Sequence, residues 1–321
     1  MTDLGEVAVE DLKIGDHVIT LSNHSVPIKW IGHRDVNCER HPAPESVWPV
    51  VVRTDAFGPG MPSRDLWLSP GNTVVSQGVL IPISALRNGR TVEQVRQPRV
   101  GYWHIELDTH DIIVADGLPA ESYLDTGNRC AFSNGGAFIE QHPDFRPKHW
   151  AQTCLPLVHE GNEITQSRRL LLDRAAALGH VITAQDDLHI IADQRRIEPV
   201  RVSDTRRFFA LPEGCVNVRL RSRQFVPAHV NPDSGDWREL GICVGRLQID
   251  GQDIALDLDD AFTSGWHHVE QYADNFQQRW TDGAAKLPAG CRLIVIDIAG
   301  RGYYWSEHYA NNVVALFGAQ G

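Results

Sequence analysis

The sequence predicts a mostly β protein: an N-terminal all-β domain, a connector of loop and helix, and a C-terminal β-sandwich-like domain. Three observations predict it. Short β-branched runs punctuated by Gly, Pro, Asn and Asp recur in both end regions, the pattern of strands and tight turns. Only Glu163 to Gly179 carries an extended apolar stripe at helical spacing. A length of 321 residues is a prior for two domains, each large enough to bury a core. The changes in character set expected domains of 1–127 and 186–321, with 128–185 as connector.

The elements follow in order. Val7-Ala8-Val9 leads through Ile14-Gly15-Asp16 into the run His17 to Leu21. Val26, Ile28 and Trp30 alternate with Pro27 and Lys29. Pro27 has no N–H for a ladder, so this strand is expected to begin there or lie at an edge. Val50-Val51-Val52 follows a Pro-rich loop, and nothing longer than a turn reads as helix before Ser84-Ala85-Leu86. Strands over Tyr102 to Leu107 and Ile112 to Ala115 close the region, with Asp116-Gly117 as a turn. The stretch 128–161 is loop-rich, holding Asn134-Gly135-Gly136, His142-Pro143 and Arg146-Pro147. So long a connection is expected to pack across the domain boundary. In the helix, Leu171, Ala175 and Leu178 fall at i, i+4 and i+7, and Gly179 suits its stop. Beyond it, Leu188 to Asp193 reads as a strand, and Val216, Val218 and Leu220 alternate with Asn217 and Arg219. Asp250-Gly251 between two apolar runs predicts a hairpin, and Leu293 to Ile296 another strand. Strands at this spacing suggest a sandwich.

Composition narrows the function classes. The net charge is -11 and the pI near 5.7. Arg168-Arg169, Arg195-Arg196 and Arg206-Arg207 are isolated pairs among acids, so no nucleic-acid partner is expected. No run of about 18 apolar residues predicts a membrane span, and the acidic start Met1 to Glu6 is not a signal peptide. A soluble protein is expected, cytoplasmic or secreted without an N-terminal signal. The six cysteines, Cys38, Cys130, Cys154, Cys215, Cys243 and Cys291, form no Cys-x-x-Cys pair and read as buried free thiols.

No cofactor or metal is expected. His267-His268-Val269-Glu270 lacks ligand spacing, since neighbours in a strand point to opposite faces. Asp250, Asp253, Asp257, Asp259 and Asp260 do not follow the calcium-loop pattern and read as solvated turns. Trp237, Trp266, Trp280 and Trp305 are weighed as core residues ahead of a sugar-stacking face. That face, with the alternating strands, carries the alternative function: a non-enzymatic adhesion module whose C-terminal domain takes a carbohydrate or protein partner.

Four segments occur in order in the first region. They are Gly5 to Val18, containing Leu12-Lys13-Ile14-Gly15-Asp16-His17-Val18; Val26 to Gly32; Leu66-Trp67-Leu68-Ser69-Pro70-Gly71-Asn72 with Gly78 to Pro82; and Tyr102-Trp103-His104-Ile105-Glu106-Leu107-Asp108-Thr109-His110-Asp111 with Gly117 to Tyr123. Each alone is common, but four in order are specific. Together they resemble the Hint family, shared by hedgehog autoprocessing domains and inteins, and most closely its bacterial branch. Arg219 to Arg223, Gly265-Trp266-His267 and Arg279 to Gly283 look like the accessory domain that accompanies some bacterial Hint modules.

The resemblance implies self-cleavage by an N–S acyl shift on the chain's own upstream peptide. In the family a leading Cys attacks the preceding carbonyl, a Ser/Thr-x-x-His segment polarises the amide and protonates its nitrogen, and a later His assists. The resemblance carries these roles to Ser69, to Asn72 where the family has its His, and to His110. The family's Cys would lie further upstream of Gly5 than this sequence reaches, and Cys38, the earliest cysteine, lies inside the fold. Asn72 cannot supply a titrating proton near neutrality. A degenerate or N-terminally truncated site, inactive as written, is therefore expected. No His-Asn pair follows Gly117-Leu118, so splicing is not implied. His104, mid-strand between Trp103 and Ile105, reads as a satisfied structural histidine, and Ser69 as a turn residue rather than a nucleophile.

Overall fold

Short strands with turn residues between them fold here into small antiparallel sheets, in a computed structural model that describes residues 1–136, 146–272 and 276–306. The chain divides into two units, Met1–Leu178 and Gly179–Gly321. His142-Pro143 lies outside the described residues. Among the described residues no helix is long and apolar enough to cross a membrane.

The strands of the first unit are β1 (His17–Ile19), β2 (Ser25–Pro27), β3 (Trp30–Asn37), β4 (Val50–Val52), β5 (Leu66–Leu68), β6 (Thr73–Ser76), β7 (Val79–Pro82), β8 (Val92–Gln94), β9 (Arg99–Glu106), β10 (Ile112–Ala115) and β11 (Leu118–Glu121). The longest pairing joins β3 to β9, from Trp30 opposite Glu106 to Asn37 opposite Arg99. β4 runs between β5 and β8 with all three valines fully buried, and a four-stranded sheet has the order β10-β11-β6-β7.

The alternation from Val26 to Trp30 is not one strand. The Ile28 N–H turns to the Asp16 carbonyl at 2.8 Å, and the Lys29 N–H to the Glu106 carbonyl at 2.9 Å. The chain thus leaves β1 at Pro27, which has no N–H, and joins β9 at Trp30. The Asp116-Gly117 turn forms as expected, with φ of 47° and 85°. Glycine is required at 117 twice over, because a Cβ there would sit 2.2 Å from the Gly60 carbonyl oxygen.

The helix, α1, spans Asn162–Ala177 and belongs to this unit. Ile164, Leu171 and Ala175 are its buried apolar residues, and Ile164 and Leu171 join the core of Val50, Val52, Ile81, Ile83 and Leu118. Gly179, with φ of 90°, follows its end in the left-handed conformation that stops helices.

Among its described residues the second unit packs two larger antiparallel sheets around one core, and it also pairs Ile182–Thr183 with Tyr304–Trp305. One has Arg195–Ile197, His189–Ala192, Val218–Arg221 and Ala284–Leu287 in that order. The other runs Arg201–Val202, Arg206–Ala210, Leu293–Gly300, Cys243–Ile249, Gln277–Thr281 and Trp266–Gln271, with Gln252–Ile254 pairing off Cys243–Ile249. Ile190, Val218, Leu220 and Leu287 of the first meet Phe209, Val244, Leu247, Ile294 and Ile296 of the second. Asp250 and Gly251, φ 50° and 82°, make the expected hairpin turn.

Several residues differ from their sequence reading. Val216 lies outside the strand and is 74% exposed, because Asp193 draws its N–H out of the ladder. Cys130 and Cys154 are exposed, while Cys38, Cys215, Cys243 and Cys291 are buried. Trp237, Trp266, Trp280 and Trp305 are each half-buried. Trp266 packs edge-on against Phe262 and donates its Nε1–H to the Lys286 carbonyl.

Candidate functional site

A cleft of about 900 Å³ opens in the first unit. One wall is the turn between β5 and β6; the other comes from β9, β11 and the segment after β11. Pro70-Gly71 makes the turn, and the Asn72 N–H closes it on the Ser69 carbonyl at 3.0 Å. Asn72 Oδ1 then accepts both the Ser69 N–H and the Ser69 hydroxyl, each at 2.9 Å. A backbone N–H can only donate, so the side-chain atom facing it is the oxygen. The remaining polar group of Asn72, a cleft-lining residue, is its Nδ2 amino group.

Thr73 and Glu121 tie the two walls together. The Thr73 N–H donates to Glu121 Oε1 at 3.1 Å. The other oxygen, Oε2, lies 3.5 Å from His110 Nε2. His110 is only 4% exposed and does not line the cleft. Its Nδ1 accepts the Cys154 N–H at 3.1 Å, which places the proton of the neutral ring on Nε2. At 3.5 Å Nε2 is long for a hydrogen bond to Glu121, and it has no hydrogen-bond partner among the described residues.

His104 projects from β9 into the cleft lining. Tyr123 and Phe132 meet its ring edge-on, at centroid distances of 5.8 and 5.0 Å. Burial pushes its pKa down to about 4, against the pull of the Glu121 carboxylate. The ring is therefore neutral at physiological pH.

This wall is braced from within. Arg129, 1% exposed, bonds Asp125 Oδ2 through Nε at 2.5 Å and Glu106 through Nη2, with its guanidinium 4.0 Å from the Trp30 ring centre. The Tyr123 hydroxyl donates to Asn128 Oδ1 at 2.5 Å, and burial with the nearby Asp125 holds that phenol above its ordinary range.

The structure therefore brings Ser69 and Asn72 together on the cleft and sets His110 behind its wall, linked through Glu121. Sequence reading did not single out Glu121 or Thr73. A Glu ending a short strand and a Thr after a turn carry no local signal; only the β6–β11 pairing makes them neighbours. His104, read as a satisfied structural histidine, has ring packing but no hydrogen-bond partner among the described residues. Among those residues no group of three His, Cys, Asp or Glu is placed to hold a metal ion. His267 is tied to the Glu239 carbonyl through Nε2 at 2.9 Å.

An all-β domain in which a Ser-Pro-Gly-Asn turn and a histidine-bearing strand line one cleft is the class these elements define. The Hint domain family model matches residues 1–127, and this part of the chain is a Hint domain. No curated protein and no solved structure matches the chain.

Proposed function

We propose that the first unit is a Hint-type self-processing domain, weakened at one step of an acyl shift on a peptide segment that enters its cleft from upstream. In that reaction a thiol of the segment attacks the preceding carbonyl, a C–S bond forms, and the C–N bond breaks as its nitrogen takes a proton. The observation that carries the reading is Asn72, which lines the cleft where the family's motif has its acidic His. Its Nδ2 can hydrogen-bond a carbonyl oxygen, yet an amide has no proton to transfer near neutrality. Loss of a positioned general acid typically costs about 10²- to 10⁴-fold in rate.

The test places a reporter and a Cys-containing segment ahead of the full chain and follows thiol-dependent release on a gel. Slow release is expected with Asn72, rising by about 10²- to 10⁴-fold in Asn72→His. Rapid release with Asn72 in place, or no response to Asn72→His in a folded variant, would overturn the proposal.

A further inference from the structure

We infer that Glu121 is a catalytic residue of this cleft, the carboxylate that accepts and returns the proton during the Hint reaction proposed above, on which the inference rests. The domain's fully buried carboxylates show why the partly exposed Glu121 stands apart. Glu106 and Asp125 both grip Arg129, as carboxylates removed from water ordinarily require a cation or dense hydrogen bonding. The Glu121 side chain is 14% exposed, yet among the described residues no Lys or Arg pairs with it. Its neighbours are the Thr73 N–H, His110 and the neutral ring of His104. Glu106 and Asp125 are committed to their guanidinium, whereas Glu121 takes a backbone N–H on Oε1 and faces the cleft.

The geometry fits that cycle. The Thr73 N–H fixes Oε1, and among the described residues Oε2 is left with the distant His110 Nε2. His110 is itself fixed by the Cys154 N–H, and its buried Nε2, 3.5 Å from Oε2, makes no hydrogen bond among the described residues. Glu121 and Asn72 line the same cleft. The protons balance without an outside reagent. Glu121 takes the proton of the attacking thiol as the C–S bond forms and, with Asn72 where the family has its acid, returns that same proton to the departing nitrogen as the C–N bond breaks, more slowly than a positioned His would. Asn72 Nδ2 donates to the carbonyl oxygen, and Glu121 ends as it began. His110, with Nε2 3.5 Å from the carboxylate, stands behind it and transfers no proton in this scheme.

The experiment uses the same reporter fusion of the full chain, in the parent and in Asn72→His. Glu121→Gln keeps the shape and the Thr73 contact but cannot accept a proton. It is expected to slow release by about 10²-fold or more in whichever background releases measurably, with folding unchanged. Glu121→Ala is expected to be equally slow and to regain at least about tenfold with added formate, a small carboxylate that can enter the vacated space; a purely structural Glu121 would show no such rescue. Release by Glu121→Gln within about threefold of its parent overturns the role of Glu121 and leaves the Hint reading standing. So does a variant that no longer folds, or a slow Glu121→Ala that formate does not rescue. No release from either background overturns the Hint reading itself, and this inference with it.

Discussion

Arg129→Met tests whether the ion cluster under the cleft wall holds the first unit together. Arg129 is 1% exposed, and its partners Glu106 and Asp125 are 1% and 0% exposed. Methionine retains much of the aliphatic stem against Trp30 but leaves two carboxylates buried without their cation. Removing one partner from a buried ion cluster costs about 3–5 kcal/mol, because the remaining charges cannot regain their hydration. For a unit of this size that corresponds to a melting temperature roughly 6–20 °C lower. Calorimetry of the full chain measures it, following the transition that the substitution moves. Neutralising the partners as well, in Glu106→Gln/Asp125→Asn/Arg129→Met, should restore at least half of the loss, since no buried charge is then left unpaired. A shift below about 1 kcal/mol for Arg129→Met, or no recovery in the triple variant, would refute the reasoning.

Three further outcomes are expected. Gly117→Ala should destabilise the first unit by about 1–3 kcal/mol, because its φ of 85° is strained for alanine and the new Cβ meets the Gly60 carbonyl; an unchanged melting temperature would contradict this. His104, whose pKa is depressed to about 4, stays neutral in the folded state while the unfolded chain binds a proton near pH 6.5, so it withdraws stability as pH falls between those values and His104→Phe should flatten that part of the stability–pH curve. A His104 ring resonance titrating near pH 6.5 in the folded protein would show the assignment wrong. Cys130 and Cys154 should react with a thiol reagent in the native state, and Cys38, Cys215, Cys243 and Cys291 only on unfolding. Cys154 should react the slower for its thiol pKa, raised by partial burial and then by Asp111. Native labelling of Cys243, whose burial lifts its pKa to about 12, would count against the core described here.

Features that depend on a few consecutive residues were legible in the sequence. Asp116-Gly117 and Asp250-Gly251 adopt left-handed turns because their own backbones tolerate positive φ. The helix ends where Gly179 permits it, and its stripe at Leu171 and Ala175 faces the core. The ordered segments identified the Hint domain, and the Ser69–Asn72 turn was legible because it is local.

What lies between segments was not legible. The break after Pro27 depends on Glu106, which takes the Lys29 N–H from β9. The Arg129 cluster unites a strand residue with one from the segment after β11, and no spacing rule anticipates it. Glu121 is the clearest case, for its partners Thr73 and His110 arrive from different parts of the chain. By itself the sequence determined the β-rich class, the local turns and the family, because each follows from backbone preferences and short-range pattern. Only the tertiary structure decided which polar groups share the cleft and which lie behind it. Burial and the surroundings of a charge belong to the folded chain, and they decide whether a carboxylate is locked to a cation or free to carry a proton.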